Sequence, residues 1–382
     1  MTALSIGIAG AGLLGRLLAW RLSRLGHSVS VFDPAAGPEP LFRGERPQDL
    51  PEGASLQAAG FTAAGMLSPL AELDNAEPAV AALGWRSIAL WRDVAAALPA
   101  RPFFAERGSL LLAHRPDLGA AQRVLDRLGA ATQSPEWTAS QPAGGVQVLT
   151  AAQLGELEPA VQGPAHAWLL AGEGQIDTVA MLQALHAAAP EVQWHWGHSV
   201  QEVRDDGSVQ FANGASASFD QVIDVRGLGS RPHWPLRGVR GEVVWLHAPG
   251  HGLQRPLRLL HPRHRVYLVP RPGDLVLVGA SEIESEDRSP VSLRSAVELM
   301  AAAHSVVPAL AEARIVRLDA NLRPALPDNA PRTEWRGACL RINGLFRHGW
   351  LLAPALVDDA LRGSGLAPQG LSDLRQEEEI TT

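Results

Sequence analysis

The chain has 382 residues, of which 46% are hydrophobic, and its net charge at neutral pH is −7. This length and composition suit two domains, or one large domain, with a sizeable core, and the acidic balance argues against a nucleic-acid partner. Cys339 is the single cysteine and all 33 basic residues are arginine, which excludes an internal disulfide, a cysteine-rich metal site, a lysine Schiff base and a Walker A lysine.

The first 33 residues follow the order of a dinucleotide-binding site. An apolar strand over residues 6–9 leads into Gly-Ala-Gly-Leu-Leu-Gly at residues 10–15, which fits G-x-G-x-x-G, and a helix is predicted over residues 17–25. A second apolar strand, over residues 29–32, ends on Asp33. This strand–turn–helix–strand–acid order is typical of Rossmann-type binding units.

Each part of this unit has a physical role. Gly10 permits the tight turn, Gly12 lets a pyrophosphate approach the backbone, and Gly15 lets the helix pack closely on the strand. The helix N-terminus offers free N–H groups to phosphates, and Asp33 would accept hydrogen bonds from ribose hydroxyls. The fingerprint serves FAD and nicotinamide cofactors alike, and the remaining alternative is a glycine-rich turn without a ligand.

Farther along the chain, residues 34–57 are rich in proline, glycine and charged side chains and predict a loop. Helices are predicted at 78–98, 150–159, 177–189, 290–306 and 350–361, with a capping box at Thr150 and an N-cap at Asp177. Strands are predicted at 108–113, 192–196, 221–225, 265–270, 274–279 and 340–343, and Asn213-Gly214 predicts a hairpin with a type I′ turn. We therefore expect an α/β nucleotide-binding domain interrupted by a mainly antiparallel substrate domain.

The amino-terminal residues and the hydropathy pattern indicate where the protein works. Residues 1–4 include no basic segment of the kind that opens a signal peptide. No run of about 18 apolar residues suggests a membrane span. We therefore expect a cytoplasmic protein without a membrane partner.

Five motifs in chain order resemble the FAD-dependent amine oxidases of the D-amino-acid oxidase family. They are the N-terminal fingerprint and residues 62–67 (TAAGML), 267–271 (YLVPR), 322–325 (LRPA) and 346–355 (FRHGWLLAPA). Within that family the glycine oxidases of thiamine synthesis are most similar. The resemblance implies a Rossmann-like FAD-binding domain of three segments (1–85, 150–235 and 315–382), interleaved with a mainly antiparallel-sheet substrate-binding domain (86–149 and 236–314).

The resemblance also implies an activity. The protein would oxidise glycine, or another small amine or D-amino acid, to the imine by hydride transfer to the flavin, in thiamine (thiazole) biosynthesis. O2 or another acceptor would reoxidise the flavin, thiazole synthase would be a partner, and a homo-oligomer is expected because relatives form them. The alternatives are a related flavoprotein acting on another secondary amine, D-amino acid or modified tRNA base, a NAD-dependent dehydrogenase, and a flavin-binding protein without enzymatic activity.

Site residues follow from the same resemblance. On the substrate side, Arg323 would grip a carboxylate with its planar fork, Tyr267 would bond or cover the substrate, and Arg347 would lie near substrate and flavin. Alternatives remain open for all three residues. Arg323 could instead form a structural ion pair, and Tyr267 could be a core residue. Arg347 could pair on the surface with Asp358 or Asp359. The cofactor-binding residues would be Gly10, Gly12, Leu13, Leu14, Gly15, Asp33, Ala64, Gly65, Met66, Val200, Gly344, Leu345, Phe346, Arg347, His348, Gly349 and Leu351.

The chain also departs from the family pattern. His348 stands where the family often has asparagine, and residues 59–61 (AGF) replace hydroxyl-bearing residues. Ala325 occupies the position at which covalent-flavin relatives carry cysteine, so non-covalent FAD is expected. His261 and His264 have no apparent third ligand, and no metal is expected.

Overall fold

The structure is a computed structural model that describes residues 3–40, 57–74, 77–133, 145–260, 265–366 and 371. Most of the predicted loop at 34–57 therefore lies outside the described residues, as do His261 and His264.

Strands and helices alternate along the described part of the chain. The strands are β1 (Ser5–Ala9), β2 (Ser28–Asp33), β3 (Met66–Leu67), β4 (Phe104–Ala105), β5 (Ser109–Ala113), β6 (Val146–Leu149), β7 (His166–Leu170), β8 (Gly174–Ile176), β9 (Gln193–Trp196), β10 (Val200–Val203), β11 (Ser208–Phe211), β12 (Ser216–Ser218), β13 (Gln221–Asp224), β14 (Arg237–His247), β15 (Leu257–Leu260), β16 (Arg265–Arg271), β17 (Leu275–Gly279), β18 (Arg314–Ala325), β19 (Arg332–Arg336) and β20 (Cys339–Asn343). The helices are α1 (Leu13–Arg24), α2 (Ala59–Thr62), α3 (Pro69–Glu72), α4 (Pro78–Ala97), α5 (Leu118–Ala131), α6 (Ala151–Leu157), α7 (Thr178–Ala187), α8 (Leu293–Val306) and α9 (Gly349–Ser364).

A six-stranded sheet in the order β19-β20-β13-β1-β2-β9 forms the first layer. Its strands from β20 to β9 are parallel, and only β19 runs antiparallel. Ile6 and Ile8 on β1 are fully buried, as expected for a parallel strand covered on both faces. The chain moves from β1 to β2 on one side and places β13 on the other, so a crevice opens at the carboxyl end of β1.

The second large sheet has eight strands in the order β18-β14-β17-β16-β15-β5-β7-β6. All of its pairings are antiparallel except that of β15 with β5. One face packs on α8 through apolar side chains that include Val244, Val278 and Leu299. The other face, with Val243 and Val269, meets the Ala64 segment of the chain. This second face therefore borders the crevice of the first sheet.

These two sheets confirm the predicted mixed α/β fold. The predicted capping box at Thr150 and the N-cap at Asp177 are both present. Strands β7 and β18, which lie in segments predicted to bind FAD, pair within the eight-stranded sheet. The predicted division into domains is untested by this pairing and stays a prediction.

Two local predictions were wrong. Helix α1 begins at Leu13 rather than at residue 17, because the Gly12 carbonyl already accepts the Arg16 N–H. The hairpin of β11 and β12 forms, but its turn is not type I′. That turn needs positive φ at both central residues, and only Gly214 has it, while the Gly214 N–H bonds to the Phe211 carbonyl.

Candidate active site

A cavity of about 1340 Å³ runs from the carboxyl ends of β1, β2 and β13 to the face of the eight-stranded sheet. At one end it is lined by Gly10 and Asp33, and at the other by Tyr267 and Arg323. Ligand pockets usually measure about 300–1,000 Å³. The cavity therefore has room for a dinucleotide and a small second ligand.

The glycine turn after β1 is built to let a ligand approach the backbone. Gly10 has a φ of 104°, and a Cβ there would lie 2.8 Å from the Val225 carbonyl oxygen. A Cβ on Gly15 would collide with the Gly10 carbonyl oxygen. The N-cap residue of α1 is Gly12, which has no side chain to cap the helix, and Gly12, Leu13 and Leu14 line the cavity. The first-turn N–H groups of α1 are therefore available to a phosphate.

Asp33 is held at the end of β2 with its carboxylate in the cavity wall. Its Oδ2 accepts the Ala11 N–H at 2.7 Å, and its Oδ1 accepts the Ala35 N–H at 2.9 Å. Each oxygen keeps a lone pair for a further donor. This geometry fits the predicted role of Asp33 as an acceptor for ribose hydroxyls.

A buried arginine beneath this turn was not predicted from the sequence. Arg16 is 1% exposed, and its Nε donates to the Ala11 carbonyl at 2.9 Å. Burial lowers its pKa to about 10, against the opposing effect of Asp33. The guanidinium stays charged at neutral pH, and a cation under the turn favours an anionic ligand above it. The available signal was an arginine in the first turn of α1, directly after the glycine fingerprint.

Val200, a predicted cofactor-binding residue, lines the cavity. Its carbonyl accepts a hydrogen bond from Arg226 Nη1 at 2.8 Å. Arg226 is itself held by a two-point pair with the buried Asp224. The Val200 carbonyl is thus already engaged, a contact that sequence spacing did not predict.

The segment at residues 64–66 is held rigidly against the cavity. Gly65 has a φ of 65°, its carbonyl accepts the Ile176 N–H at 2.9 Å, and a Cβ there would collide with Ile176. Arg271 Nη2 donates to the Ala64 carbonyl. Burial lowers the pKa of Arg271 to about 10. Ala64, Gly65 and Met66 all line the cavity, and their place beside the cofactor stays a prediction.

The loop between β20 and α9 closes the middle of the cavity. Asn343 fixes it: Oδ1 accepts the Gly344 N–H at 2.8 Å, and Nδ2 donates to the Gly227 carbonyl at 3.0 Å. Residues 345–349 line the cavity, and no side chain caps α9. Of the predicted cofactor-binding residues, Gly15, Gly344 and Leu351 do not line it. Leu351 packs against Gly84 instead.

Arg323 lies on β18 with its guanidinium over Gly241. Nη1 donates to the Arg240 carbonyl at 3.3 Å, and Nη1 and Nη2 share the Ser281 carbonyl at 3.2 and 3.1 Å. Burial lowers the pKa of Arg323, and none of the described carboxylates pairs with it. The edge formed by Nε–H and the second Nη2–H is left for an incoming carboxylate, which it can bind at two points.

Tyr267 lies on β16 beside Arg323, and both side chains line the cavity. Its ring covers Gly279, where a Cβ would lie 2.7 Å from the phenol oxygen. Burial raises the pKa of Tyr267, against the opposing effect of Arg323. The phenol therefore stays protonated at neutral pH and can donate a hydrogen bond to an anion.

A buried carboxylate that was not predicted from the sequence organises the other arginines. Glu72 accepts from Arg347 Nη2 at 2.7 Å and from Arg258 Nη2 at 2.9 Å. His348 Nδ1 lies 3.4 Å from Glu72 Oε2. Although burial alone would raise it, Arg347 and Arg258 hold the pKa of Glu72 far below its usual value. We call Glu72, Arg258, Arg347 and His348 the Glu72 cluster.

The predicted alternative for Arg347, a pair with Asp358 or Asp359, was wrong. Arg347 Nη1 instead lies 3.4 Å from Glu282, in addition to its bond to Glu72. Asp358 pairs with Arg362 one turn along α9, and Asp359 pairs with Arg86. Helix α9 thus carries both aspartates away from the cavity that Arg347 lines.

Neither a metal site nor a membrane-spanning helix occurs in the described ranges. No three histidine, cysteine, aspartate or glutamate side chains in these ranges are arranged to hold a metal ion. None of the helices in the described part of the chain is both long and apolar enough to cross a membrane.

Comparison with known proteins finds a matching family model and similar sequences and structures. Residues 5–358 match the DAO family, described as FAD dependent oxidoreductase. The chain is 36% identical over 357 residues to a Rhizobium etli protein described provisionally as the thiamine biosynthesis oxidoreductase ThiO, covering 93% of this chain and 94% of that protein. It is 26% identical over 375 residues to the glycine oxidase of Geobacillus kaustophilus, covering 91% and 89%. The structure of a Bacillus cereus glycine oxidase has the same fold, with a TM-score of 0.76, 20% identity and coverage of 96% of this chain and 98% of that one.

Proposed function

The chain belongs to the DAO family of FAD-dependent oxidoreductases, and from that membership we propose that it oxidises glycine or another small amino acid to the imine. The observation that carries the proposal is the free two-donor edge of Arg323 beside the protonated phenol of Tyr267. This pair is suited to the carboxylate of an amino acid. The 26% identity to a glycine oxidase supports the same substrate class.

FAD is the cofactor of this family, and the cavity fits it. The uncapped first turn of α1 would hold the pyrophosphate, Asp33 the ribose, and residues 345–349 with the N-terminus of α9 the flavin edge. When bound, FAD accepts the hydride from the substrate and later passes the electrons to O2 or another acceptor.

The protein's own contribution to the reaction is alignment and charge matching. Arg323 would fix the substrate carboxylate in direction as well as position, because a guanidinium edge binds both oxygens. Apolar side chains, among them Val243 and Val269, cover the sheet beneath the substrate end and help to exclude water. Glu72 and Glu282 together balance the charges of Arg258 and Arg347. Arg323 is thus the half-buried guanidinium of the cavity wall that has no carboxylate partner among the described residues, which matches a single substrate carboxylate.

A role in thiamine biosynthesis is supported by the 36% identity to the Rhizobium etli protein. The imine would then be consumed by thiazole synthase. We further propose that the protein acts in the cytoplasm and, as the family resemblance implies, forms a homo-oligomer.

The test of the proposed activity is anaerobic bleaching of the flavin. Glycine, sarcosine, D-alanine and D-proline are added in turn to the oxidised holoenzyme, with glycolate as the amine-free control. We expect bleaching of the absorbance band near 450 nm by at least one small amine and none by glycolate. A yellow protein that none of these amines reduces would overturn the proposed activity. A colourless protein with bound nicotinamide would overturn the assignment of FAD as the cofactor.

The FAD is expected to be held without a covalent bond to sulfur. Ala325 is fully buried at the position of the linking cysteine, and Cys339, the one cysteine of the chain, is buried in β20. Acid precipitation should therefore release intact yellow FAD into the supernatant. Flavin that stays on the washed pellet would contradict this.

A further inference from the structure

The proposed reaction needs a proton acceptor, and the chain has no lysine that could serve as one. Near neutral pH an amino acid carries an ammonium group, whose nitrogen has no lone pair to help expel hydride. The ammonium must therefore lose a proton before the carbon–hydrogen bond breaks. Because the chain has no lysine, the candidate acceptors within the protein are the other titratable groups on the substrate side of the cavity.

Most of these groups are poor bases. Tyr267 is already protonated, because burial raises its pKa. Glu72 is held ionised and hydrogen-bonded by Arg258 and Arg347, which hold its pKa far below the usual range. Glu282 is exposed and is engaged by Arg347.

His348 is different from all of them. It lines the same cavity as Arg323 and Tyr267, and it is the only histidine among the described residues that do so. Its side chain is 9% exposed. Nδ1 lies 3.4 Å from Glu72 Oε2, which leaves Nε2 as the free ring nitrogen, since no described residue hydrogen-bonds to it.

We propose that His348 is the base that takes the proton from the substrate ammonium, with Glu72 as its positioning residue. An N–H bond of the ammonium breaks, its electron pair stays on the amine nitrogen, and the proton moves to Nε2, which gives an imidazolium. Glu72, 3.4 Å from Nδ1, orients the ring and stabilises that imidazolium. The proposal rests on the function proposed above.

The charges that face His348 support a neutral imidazole in the resting protein. Burial lowers the pKa of His348, and Arg347 and Arg258 lower it further, against the opposing effects of Glu72 and Glu282. The ring is therefore free to accept a proton at neutral pH. The base becomes unavailable as the pH falls through the lowered pKa.

The test is the pH dependence of anaerobic flavin reduction by glycine in the wild type and in His348→Asn. In the wild type the reduction rate should rise through an ionisation below the ordinary histidine range and then level off. His348→Asn should lose that ionisation and reduce the rate at pH 7 on the order of 10²-fold. Its affinity for glycolate should change little, because Arg323 is intact. His233→Asn, at an exposed histidine paired with Glu334, is the matched control with an unchanged profile.

A second readout does not depend on turnover. In holoenzyme labelled at histidine, the imidazole resonance that is absent from His348→Asn should titrate at the pH found kinetically for the wild type. A pH profile that survives in His348→Asn, or a resonance that titrates at a different pH, would overturn the proposal.

If the His348→Asn variant does not retain flavin, His348→Gln is used in its place. If neither variant retains flavin, the imidazole resonance that shifts when glycolate binds to the wild type must titrate at the pH of the kinetic ionisation. A different pH would again overturn the proposal. Failure of the proposed function itself would be distinct, because no amine would then bleach the wild type.

Discussion

Replacing Arg323 with alanine is expected to weaken glycine binding while the protein keeps its yellow flavin. The loss of a charge-assisted, two-point contact costs about 2–5 kcal/mol, which corresponds to roughly 30- to 4,000-fold in affinity. KM for glycine should rise by a factor in that range. Tyr267 alone would remain to bond the carboxylate, and a single neutral donor cannot fix its direction.

Two controls separate this role from a structural one. Arg288→Ala removes an exposed arginine on the wall of the same cavity that forms no ion pair with a described residue, and its KM should stay near that of the wild type. Arg323→Lys keeps the charge without the planar fork and should lie between alanine and wild type. If Arg323 serves only to hold the Arg240 and Ser281 carbonyls, Arg323→Ala will lower thermal stability and leave KM unchanged.

What could be predicted from the sequence was mostly local. The fingerprint at residues 10–15 could be found because its turn, helix and following acid lie within 33 residues. Over so short a segment, the spacing of the residues predicts how they are arranged in space. The capping box at Thr150 and the N-cap at Asp177 were confirmed for the same reason. The start of α1 was misplaced, because capping by backbone groups alone leaves no side-chain signal.

Contacts between distant parts of the chain could not be read in this way. Glu72 meets Arg258 and Arg347 across 186 and 275 residues, and no spacing pattern joins them. Asp358 and Asp359, which lie close to Arg347 in the sequence, were considered as its ion-pair partners instead. Only the packing of α3 beside β15 and the loop before α9 makes Glu72 the partner.

The long strand β18 was missed for a different reason. Apolar and polar residues alternate from Val316 to Arg323, which is the period of a strand, but the usual burial is inverted there, with Asp319 buried and Leu318 exposed. In the fold Arg317 and Asp319 pair at 2.7 Å, and the Arg317 guanidinium lies 4.2 Å from the centre of the Trp245 ring. Arg323 could be predicted by resemblance, and the alternation that predicts its full strand was overlooked.

Replacing Glu72 with alanine is expected to destabilise the protein by about 3–5 kcal/mol, because it leaves two guanidinium groups without their buried carboxylate. Glu72→Gln should cost less, since one acceptor oxygen remains. Glu202→Gln, which breaks an exposed pair with Arg204, should leave stability nearly unchanged. Chemical denaturation of the holoenzymes, at a fixed concentration of added FAD, measures all three.

The pH dependence of this stability difference follows from the lowered pKa of Glu72. In the unfolded chain the carboxyl titrates near 4.5 and in the folded protein well below it. Its contribution is therefore fully present above the unfolded value and is lost as the pH falls toward the folded one. The gap between wild type and Glu72→Gln should be constant from about pH 6 to pH 8 and shrink below about pH 4.5. A gap that stays constant down to pH 3 would show that the carboxylate charge contributes nothing.

The same substitution should also change which substrates the enzyme accepts. In the wild type, Glu72 and Glu282 pair with Arg258 and Arg347, so a second substrate carboxylate near this cluster finds both guanidinium groups engaged and meets the charge of Glu72 instead. Glu72→Gln removes that charge and frees guanidinium donors in the wall that Arg323 shares. The ratio of kcat/KM for iminodiacetate to that for glycine should therefore rise on the order of tenfold or more, by the gain of one charge-assisted contact. An unchanged ratio in a stable, yellow variant would mean that the Glu72 cluster lies out of reach of the substrate, and that Arg323 alone sets the charge preference of the site.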